Sequence, residues 1–228
     1  MKLCARRSSL FKKAPVAVIP NGLNCSRFHP RNRDAARQHL GLSRDKHLIL
    51  FGAANATSEE RKGFESLLPA LRQIAASESG TKAEFLVFGS SKPVPPIDFG
   101  LKTTYLGSLH DELSLSLVYM ASDVFVAPSR EDNLPNTIME ALSCGTPCVA
   151  FKVGGIPEMI DHKISGYIAA PFDPKDLARG IAWILENKQR WRILATAARK
   201  KAEDEYDINT VSRRYADLYQ SVLRDRKR

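Results

Sequence analysis

Two carboxylates eight positions apart, Asp132 and Glu140, lie in the stretch of this chain whose residue types and order best suit binding chemistry. It runs Pro128-Ser129-Arg130-Glu131-Asp132-Asn133-Leu134-Pro135, continues through Asn136-Thr137-Ile138-Met139-Glu140-Ala141, and closes on Cys144-Gly145-Thr146-Pro147. An apolar run precedes it, a polar turn follows, and then a helical pattern begins. Asn133 is placed to cap that helix, and Pro135 falls in the first turn, where a missing N–H costs nothing. The unbonded amides of such a turn make an anion site. If the helix lies along a sheet edge, Asp132 just outside it grips one part of a polyhydroxylated ligand and Glu140 within it another. The plainer alternative is an acidic first turn that satisfies the helix dipole. Gly154-Gly155 before Pro157-Glu158 repeats the device and opens a second helix start, or else forms an ordinary loop. His110, just past Gly107, is either a base-contacting group or a surface histidine.

The elements that must position these residues emerge from apolar runs of strand length alternating with helical spacing. Val16–Ile19 (ended by Pro20-Asn21-Gly22), Leu48–Phe51, Phe85–Phe88, Thr103–Leu106, Val124–Ala127 and Cys148–Phe151 read as strands, and several run out into Gly, Ser or Pro. Arg33–Leu40, Phe64–Ala76, Leu113–Ala121 and Thr137–Leu142 read as helices, the second from apolar residues at 64, 67, 68, 71, 74 and 75. Short buried strands on a β-α beat require parallel pairing through crossover helices. The expected fold is α/β, a doubly wound Rossmann-like parallel sheet that binds ligand outside the C-terminal ends of its strands. From Asp173-Pro174 onward the chain turns helical, with further helices over 189–204 and 208–224. This divides it into a leading segment, 1–30, a sheet domain, 31–205, and a C-terminal helix, 206–228.

The Pro128–Pro147 stretch closely resembles the donor-site signature of retaining, family 4-type glycosyltransferases with the GT-B fold. The shared marks are a strand ending in Pro-Ser, two acids eight apart, Glu140-Ala141, and the Cys-Gly-Thr-Pro that follows. The wording from Asn133 to Glu140 is similar to the subset that assembles bacterial surface polysaccharides. Ile19-Pro20-Asn21-Gly22 with Phe28 and Pro30 resembles the family's link between its two halves, and Gly52 with Lys62-Gly63 its phosphate loop. Val153–Glu158 and Gly166 match two further landmarks, so the resemblance covers about residues 15–222. It implies the C-terminal, donor-binding half of a GT-B fold, with 1–30 a remnant of the other half and Leu3–Phe11 its last helix. It also implies that Glu140 binds the ribose hydroxyls of a nucleotide-sugar donor, that Asp132 stands where the family's first acid touches the donor sugar, and that Lys62 neutralises the diphosphate. Asp132 and Lys62 are thus the catalytic candidates, since a departing nucleotide needs its growing charge stabilised. Gly52, Arg61, Gly107 and the amides around Asn133 and Leu134 complete the implied substrate contacts. Two positions depart from the pattern. Ala53 stands where the family has Arg, which leaves Arg61 as a substitute, and Asp132 is one methylene shorter than the usual glutamate, with Glu131 beside it. For Arg61 and Lys62 the alternative is a solvated turn before a helix.

Charge is segregated. Residues 1–46 hold eleven Lys or Arg against Asp34 and Asp45, which accounts for the whole formal excess of +9, and residues 47–228 balance. The basic segment has Phe11 and Phe28 as its aromatics and no recognition motif, so nucleic acid is not the expected partner. A solvated face, or attraction to anionic lipid head groups, is. No apolar run approaches the ~20 residues of a membrane span, and the basic start lacks the apolar stretch of a secretory signal. Cys4, Cys25, Cys144 and Cys148 include no C-x-x-C pair and read as reduced thiols of a cytosolic protein. The resemblance implies no metal and no cofactor. Its partners would be a nucleotide-sugar donor, a glycan or lipid-linked acceptor, and an N-terminal acceptor domain of about 150 residues or more absent from this sequence. The leading expectation is glycosyl transfer from a UDP- or GDP-sugar in bacterial polysaccharide synthesis, in the cytoplasm or at the inner membrane face. Two alternatives stand beside it: a nucleotide-sugar epimerase of the same fold, and a truncated nucleotide-binding module without turnover.

Overall fold

The structure is a computed structural model that describes residues 6–12, 15–52 and 59–225. Its strands are β1 (His47–Gly52), β2 (Ala83–Phe88), β3 (Lys102–Tyr105), β4 (Val124–Ala127), β5 (Cys148–Phe151) and β6 (Gly166–Ala169). Its helices are α1 (Arg33–His39), α2 (Phe64–Ala75), α3 (Glu112–Ala121), α4 (Asn136–Ser143), α5 (Ile156–Met159), α6 (Pro174–Leu185), α7 (Lys188–Tyr206) and α8 (Ile208–Asp225). The six strands are parallel and lie in the order β3-β2-β1-β4-β5-β6, a doubly wound sheet as expected.

Successive strand residues serve opposite faces. Leu48, Leu50, Leu86, Phe125 and Ala150 pack beneath α3 and α4, while Ile49, Phe51, Phe85, Val126 and Val149 pack against α2 and α6. Helices cover both faces, which is why the strands read as unbroken apolar runs and not as alternation. The helices contribute their own stripe. Leu67, Leu71 and Ile74 of α2 are buried, each stabilising the fold by roughly 1.5–3 kcal/mol relative to exposure.

The chain winds outward from β1 toward β3 and, on the other side, from β4 toward β6. The order reverses between β1 and β4, joined through Ile49↔Val124 and Leu50↔Phe125. At such a reversal the connections leave the sheet in opposite directions and open a crevice at the C-terminal strand ends.

Three expectations need correction. Val16–Ile19 is not a strand. The segment leads to the α7–α8 junction, where the Leu23 N–H donates to Tyr206 O (2.7 Å) and the Ile208 N–H donates to Leu23 O (2.9 Å), so its backbone is drawn there and not to a sheet edge. Gly166–Ala169 is a strand that the sequence reading did not assign. Asn133 does not cap a helix, because α4 starts later, from Pro135. Of Leu3–Phe11, Arg6 and Arg7 are helical and a turn follows. The beginning of that stretch, with Cys4, Lys13 and Ala53, lies outside the described residues. Along α8, Tyr215, Tyr219, Val222 and Leu223 remain exposed. Among the described residues no helix is long and apolar enough to cross a membrane.

Candidate functional site

The connections after β1, β4 and β5 meet at the β1–β4 reversal, main chain against main chain. The Arg130 N–H donates to Arg61 O (2.9 Å) and the Gly155 N–H to Asp132 O (3.2 Å). A Cβ on Gly63 would stand 1.8 Å from Pro128 O, and one on Gly154 1.8 Å from Asp132 O. Both residues also take positive φ, 71° and 52°, so space and backbone alike demand glycine. A Cβ on Gly155 would fall 2.0 Å from Asn133 O. These glycines, read from the sequence as parts of ligand loops, hold the three loops together. The bare Gly52 has a packing cause too, since a Cβ there would meet the Phe88 ring at 2.3 Å.

Across this junction the Lys62 ammonium donates to Asp132 Oδ2 at 3.0 Å, with side chains only 16% and 11% exposed. Arg61, 44% exposed, reaches the same oxygen at 3.5 Å and is held mainly by Glu59 at 2.6 Å. The cation and the anion that the sequence assigned to diphosphate and sugar are thus bonded to each other over seventy positions of chain.

The helix starts around the crevice have a common peculiarity. Side chains cap α1, α3, α6 and α7: Asn32 accepts from Ala35 N–H, Asp111 from Ser114, Asp173 from Lys175 and Asp176, and Asn187 from Arg190. The helices that follow β1, β4 and β5 begin at Gly63, Pro135 and Gly155 with no side-chain cap. An uncapped start leaves N–H groups for water or ligand, and the positive end of the helix dipole favours an anion there.

Glu140 lies further along α4. Its Oε2 accepts the Tyr119 hydroxyl at 2.8 Å, and its Oε1 has no protein partner among the described residues. Burial raises the Glu140 carboxyl above its ordinary value, the Tyr119 hydroxyl pulls it back, and the charge of Glu112 pushes it up again. Sequence reasoning missed Tyr119, whose one signal is a polar-tipped aromatic on the buried side of α3. It missed Asn21 as well, whose Nδ2 donates to Asn136 Oδ1 at 3.3 Å and brings the leading segment to the start of α4.

The structure therefore gathers Arg61, Lys62, Asp132, Asn133 and, against Gly155, Leu134. Glu140 is anchored separately through α3. Gly107 lies two residues beyond β3, two strands away from β1, where its carbonyl accepts the Gly89 N–H at 2.8 Å and a Cβ would meet nothing within 4 Å. His110 is exposed. Cys25, Cys144 and Cys148 are buried, and burial pushes the Cys144 thiol up to about 12 and the Cys148 thiol further, so neither supplies a thiolate.

Comparison with known proteins bears on the family and the fold. The family described as "Glycosyl transferases group 1" matches residues 45–187. A D-inositol 3-phosphate glycosyltransferase of Saccharomonospora viridis is 26% identical over 230 aligned residues, 94% of this chain and 52% of that protein. Sucrose-phosphate synthase from Thermosynechococcus elongatus superposes with a TM-score of 0.82 at 25% identity, covering 98% of this chain and 57% of that one. Anabaena Alr3699/HepE, solved in complex with UDP-glucose, shares the fold with a TM-score of 0.74 at 22% identity over 90% of this chain and 57% of its own. The chain spans about half the length of the curated relatives it matches.

Proposed function

We propose, for a chain that belongs to the glycosyl transferases of group 1, that the β1–β4 crevice is the donor site of a retaining, family 4-type enzyme. The donor is a UDP- or GDP-sugar, and the acceptor is a glycan or lipid-linked glycan of a bacterial surface polysaccharide. In this reading Lys62 and the uncapped amides of α2 and α4 take the diphosphate, Glu140 takes ribose hydroxyls through Oε1, and Asp132, once Lys62 has turned to phosphate, faces the donor sugar. As the bond between sugar and diphosphate breaks, negative charge collects on the departing nucleotide. A cation and oriented N–H groups in a partly dry site stabilise that charge without reorganising. The observation that carries the reading is the meeting of Lys62 and Asp132 with three uncapped helix starts at the reversal of strand order. The UDP-glucose bound to a neighbour of the same fold supports it.

In this reading the acceptor site lies in chain beyond the half of the relatives' length that is matched here, and transfer requires both substrates to be held in register. The chain's span of about half those relatives favours one further reading, a nucleotide-binding module that turns nothing over by itself. Calorimetry with UDP, GDP and ADP, followed by a donor-hydrolysis assay, tests both. Binding of one nucleotide with slow hydrolysis of its sugar supports the enzyme, binding without hydrolysis supports the module, and binding of none of the three overturns the donor site.

A further inference from the structure

We infer that Tyr119 is a positioning residue for nucleotide binding: its hydroxyl fixes the plane and the ionised state of the Glu140 carboxylate, so that Oε1 is presented to the ligand. The inference rests on the donor-site reading. It begins with an asymmetry in Glu140, whose two oxygens have different surroundings. Oε2 accepts from the Tyr119 hydroxyl at 2.8 Å, and Oε1 has no protein partner among the described residues. A glutamate at a crevice would ordinarily turn about its terminal torsion, which is broad and roughly two-fold. A single bond to Oε2 stops that rotation only if its donor cannot move.

Tyr119 cannot. It is fully buried, and its ring stands edge-on to Phe88 (centroids 5.7 Å apart, 84° between planes) and to Phe125 (5.5 Å, 79°). Phe88 ends β2 and Phe125 lies in β4, so the ring is wedged between the sheet and α3. Its carbonyl also accepts the Thr146 hydroxyl at 2.7 Å, which ties the same residue to the connection after α4. The phenol is therefore a rigid donor carried by the core and aimed along one line at one carboxylate oxygen. Burial and the neighbouring Glu140 charge hold that phenol well above its ordinary range, so it is a donor at neutral pH.

The chemical consequence concerns a carboxylate that burial pushes toward its neutral form. A neutral Glu140 offers a ligand hydroxyl a weaker acceptor than an ionised one. The Tyr119 bond stabilises the ionised form and so extends downward the pH range in which Glu140 accepts ligand hydroxyls. Removing it should cost affinity twice, once through a freed rotor and once through a raised carboxyl.

Tyr119→Phe keeps the ring and deletes the bond. Its UDP affinity, measured by calorimetry from pH 5 to 8, should fall about fivefold to tenfold at neutral pH, and the acid limb of its affinity profile should move to higher pH. Affinity and profile both equal to the wild type would overturn the inference while leaving the donor site intact. A general loosening of the core would lower affinity but leave the acid limb in place, and that outcome also counts against it. The double variant Tyr119→Phe/Glu140→Ala removes both ends of the bond, a change that burial tolerates better than the loss of one, and serves even if the single variant does not fold. Since Tyr119 acts only through Glu140, the double variant should bind UDP as Glu140→Ala does. A further loss beyond Glu140→Ala would assign Tyr119 a merely structural role. Wild-type protein that binds none of UDP, GDP and ADP would overturn this inference together with the donor site, a result distinct from all the others.

Discussion

Asp123 and Glu140 are both largely buried carboxylates, and β4 separates them. Asp123 precedes the strand and Glu140 follows it, so they occupy opposite ends of one sheet. Asp123 accepts from Arg33, from Arg37 at 2.7 Å and from the Leu48 N–H at 2.6 Å, with His47 4.0 Å away. Arg37 spends its remaining N–H groups on the carbonyls of Ala121, Ser43, Arg44 and Lys46, and the Trp191 indole donates to Asp123 O. A cavity of about 430 Å³ opens there between α1 and α7, yet apart from the buried Arg33 Nε the polar groups at its heart are already used. Burial alone would raise the Asp123 carboxyl, but His47 and the two guanidiniums outweigh it and hold the group at about 2. Glu140 has one bond and is shifted the other way. Of the two carboxylates, Asp123 has its bonds filled, while Glu140 keeps one oxygen without a protein partner among the described residues.

The largest effect expected from this contrast is structural. Asp123→Ala strands two partly buried guanidiniums and should cost about 3–5 kcal/mol of stability in urea denaturation, with UDP affinity of the protein that remains folded unchanged. The carboxyl is depressed in the folded state, so its contribution is present above its ordinary 3.8 and is lost as pH falls from there through about 2. Acid unfolding of the wild type, followed by circular dichroism, should therefore steepen across that window. A variant as stable as the wild type would mean that the cluster is ornamental.

Glu140 should behave in the opposite sense. Glu140→Ala should weaken nucleotide binding by about 1–3 kcal/mol. Glu140→Gln should weaken binding as well, yet melt no lower than the wild type at neutral pH. The raised carboxyl favours the fold fully below its ordinary 4.5, and that contribution is lost as pH rises through the folded value, whereas a glutamine stays neutral and still accepts from Tyr119. A clear fall in melting temperature for Glu140→Gln would erase the distinction between the two carboxylates.

Lys62→Ala should cost about 1–2 kcal/mol for a nucleoside diphosphate and almost nothing for the nucleoside, because an ammonium acts on phosphate as a point charge. Rising ionic strength should shrink the difference. Equal losses for both ligands would reduce Lys62 to a prop for the loop and transfer the phosphate role to Arg61. The smallest effect belongs to the leading segment, where Arg6, Arg7 and Lys12 are exposed beside Leu10 and Phe11. Weak, salt-reversible co-sedimentation with anionic vesicles is expected, at about 1 kcal/mol per well-placed basic residue. Equal binding to neutral vesicles would sink it.

Where a feature depended on local pattern it was legible in the sequence, and where it depended on an encounter between distant residues it was not. Val124–Ala127 and Cys148–Phe151 were found to the residue, since strands covered on both faces must be apolar throughout. Gly166–Ala169 escaped because four residues led by a glycine offer little periodicity. Val16–Ile19 misled because a short apolar run need not be buried in a sheet: Val16, Val18 and Ile19 are half-buried and Ala17 is exposed. The two acids of the crevice were visible as types and spacing. The bond from Lys62 to Asp132, and the hydroxyl of Tyr119 against Glu140, join elements that only the parallel winding brings together. Asn133 was judged by its preference for helix caps, and the close approach of Gly155 to its carbonyl decided otherwise.

The main-chain junction of Gly63, Gly154 and Gly155 bears on how this crevice can be altered, in nature or at the bench. Loops that touch through carbonyl oxygens have no slack, so their lengths are locked to one another, and an inserted residue between 128 and 135 would part all three. Identity is less constrained than number. Side chains that leave the junction, such as those of Arg61, Asp132 and Leu134, can be exchanged while the scaffold beneath them stays put. The irregular and largely exposed stretch 91–96, in the connection from β2 to β3, precedes the buried anchor Phe99 and is the place where extra chain can be accommodated. New ligand preferences in this fold should therefore arise by re-lining a crevice of fixed outline, and new surface recognition by lengthening a loop elsewhere.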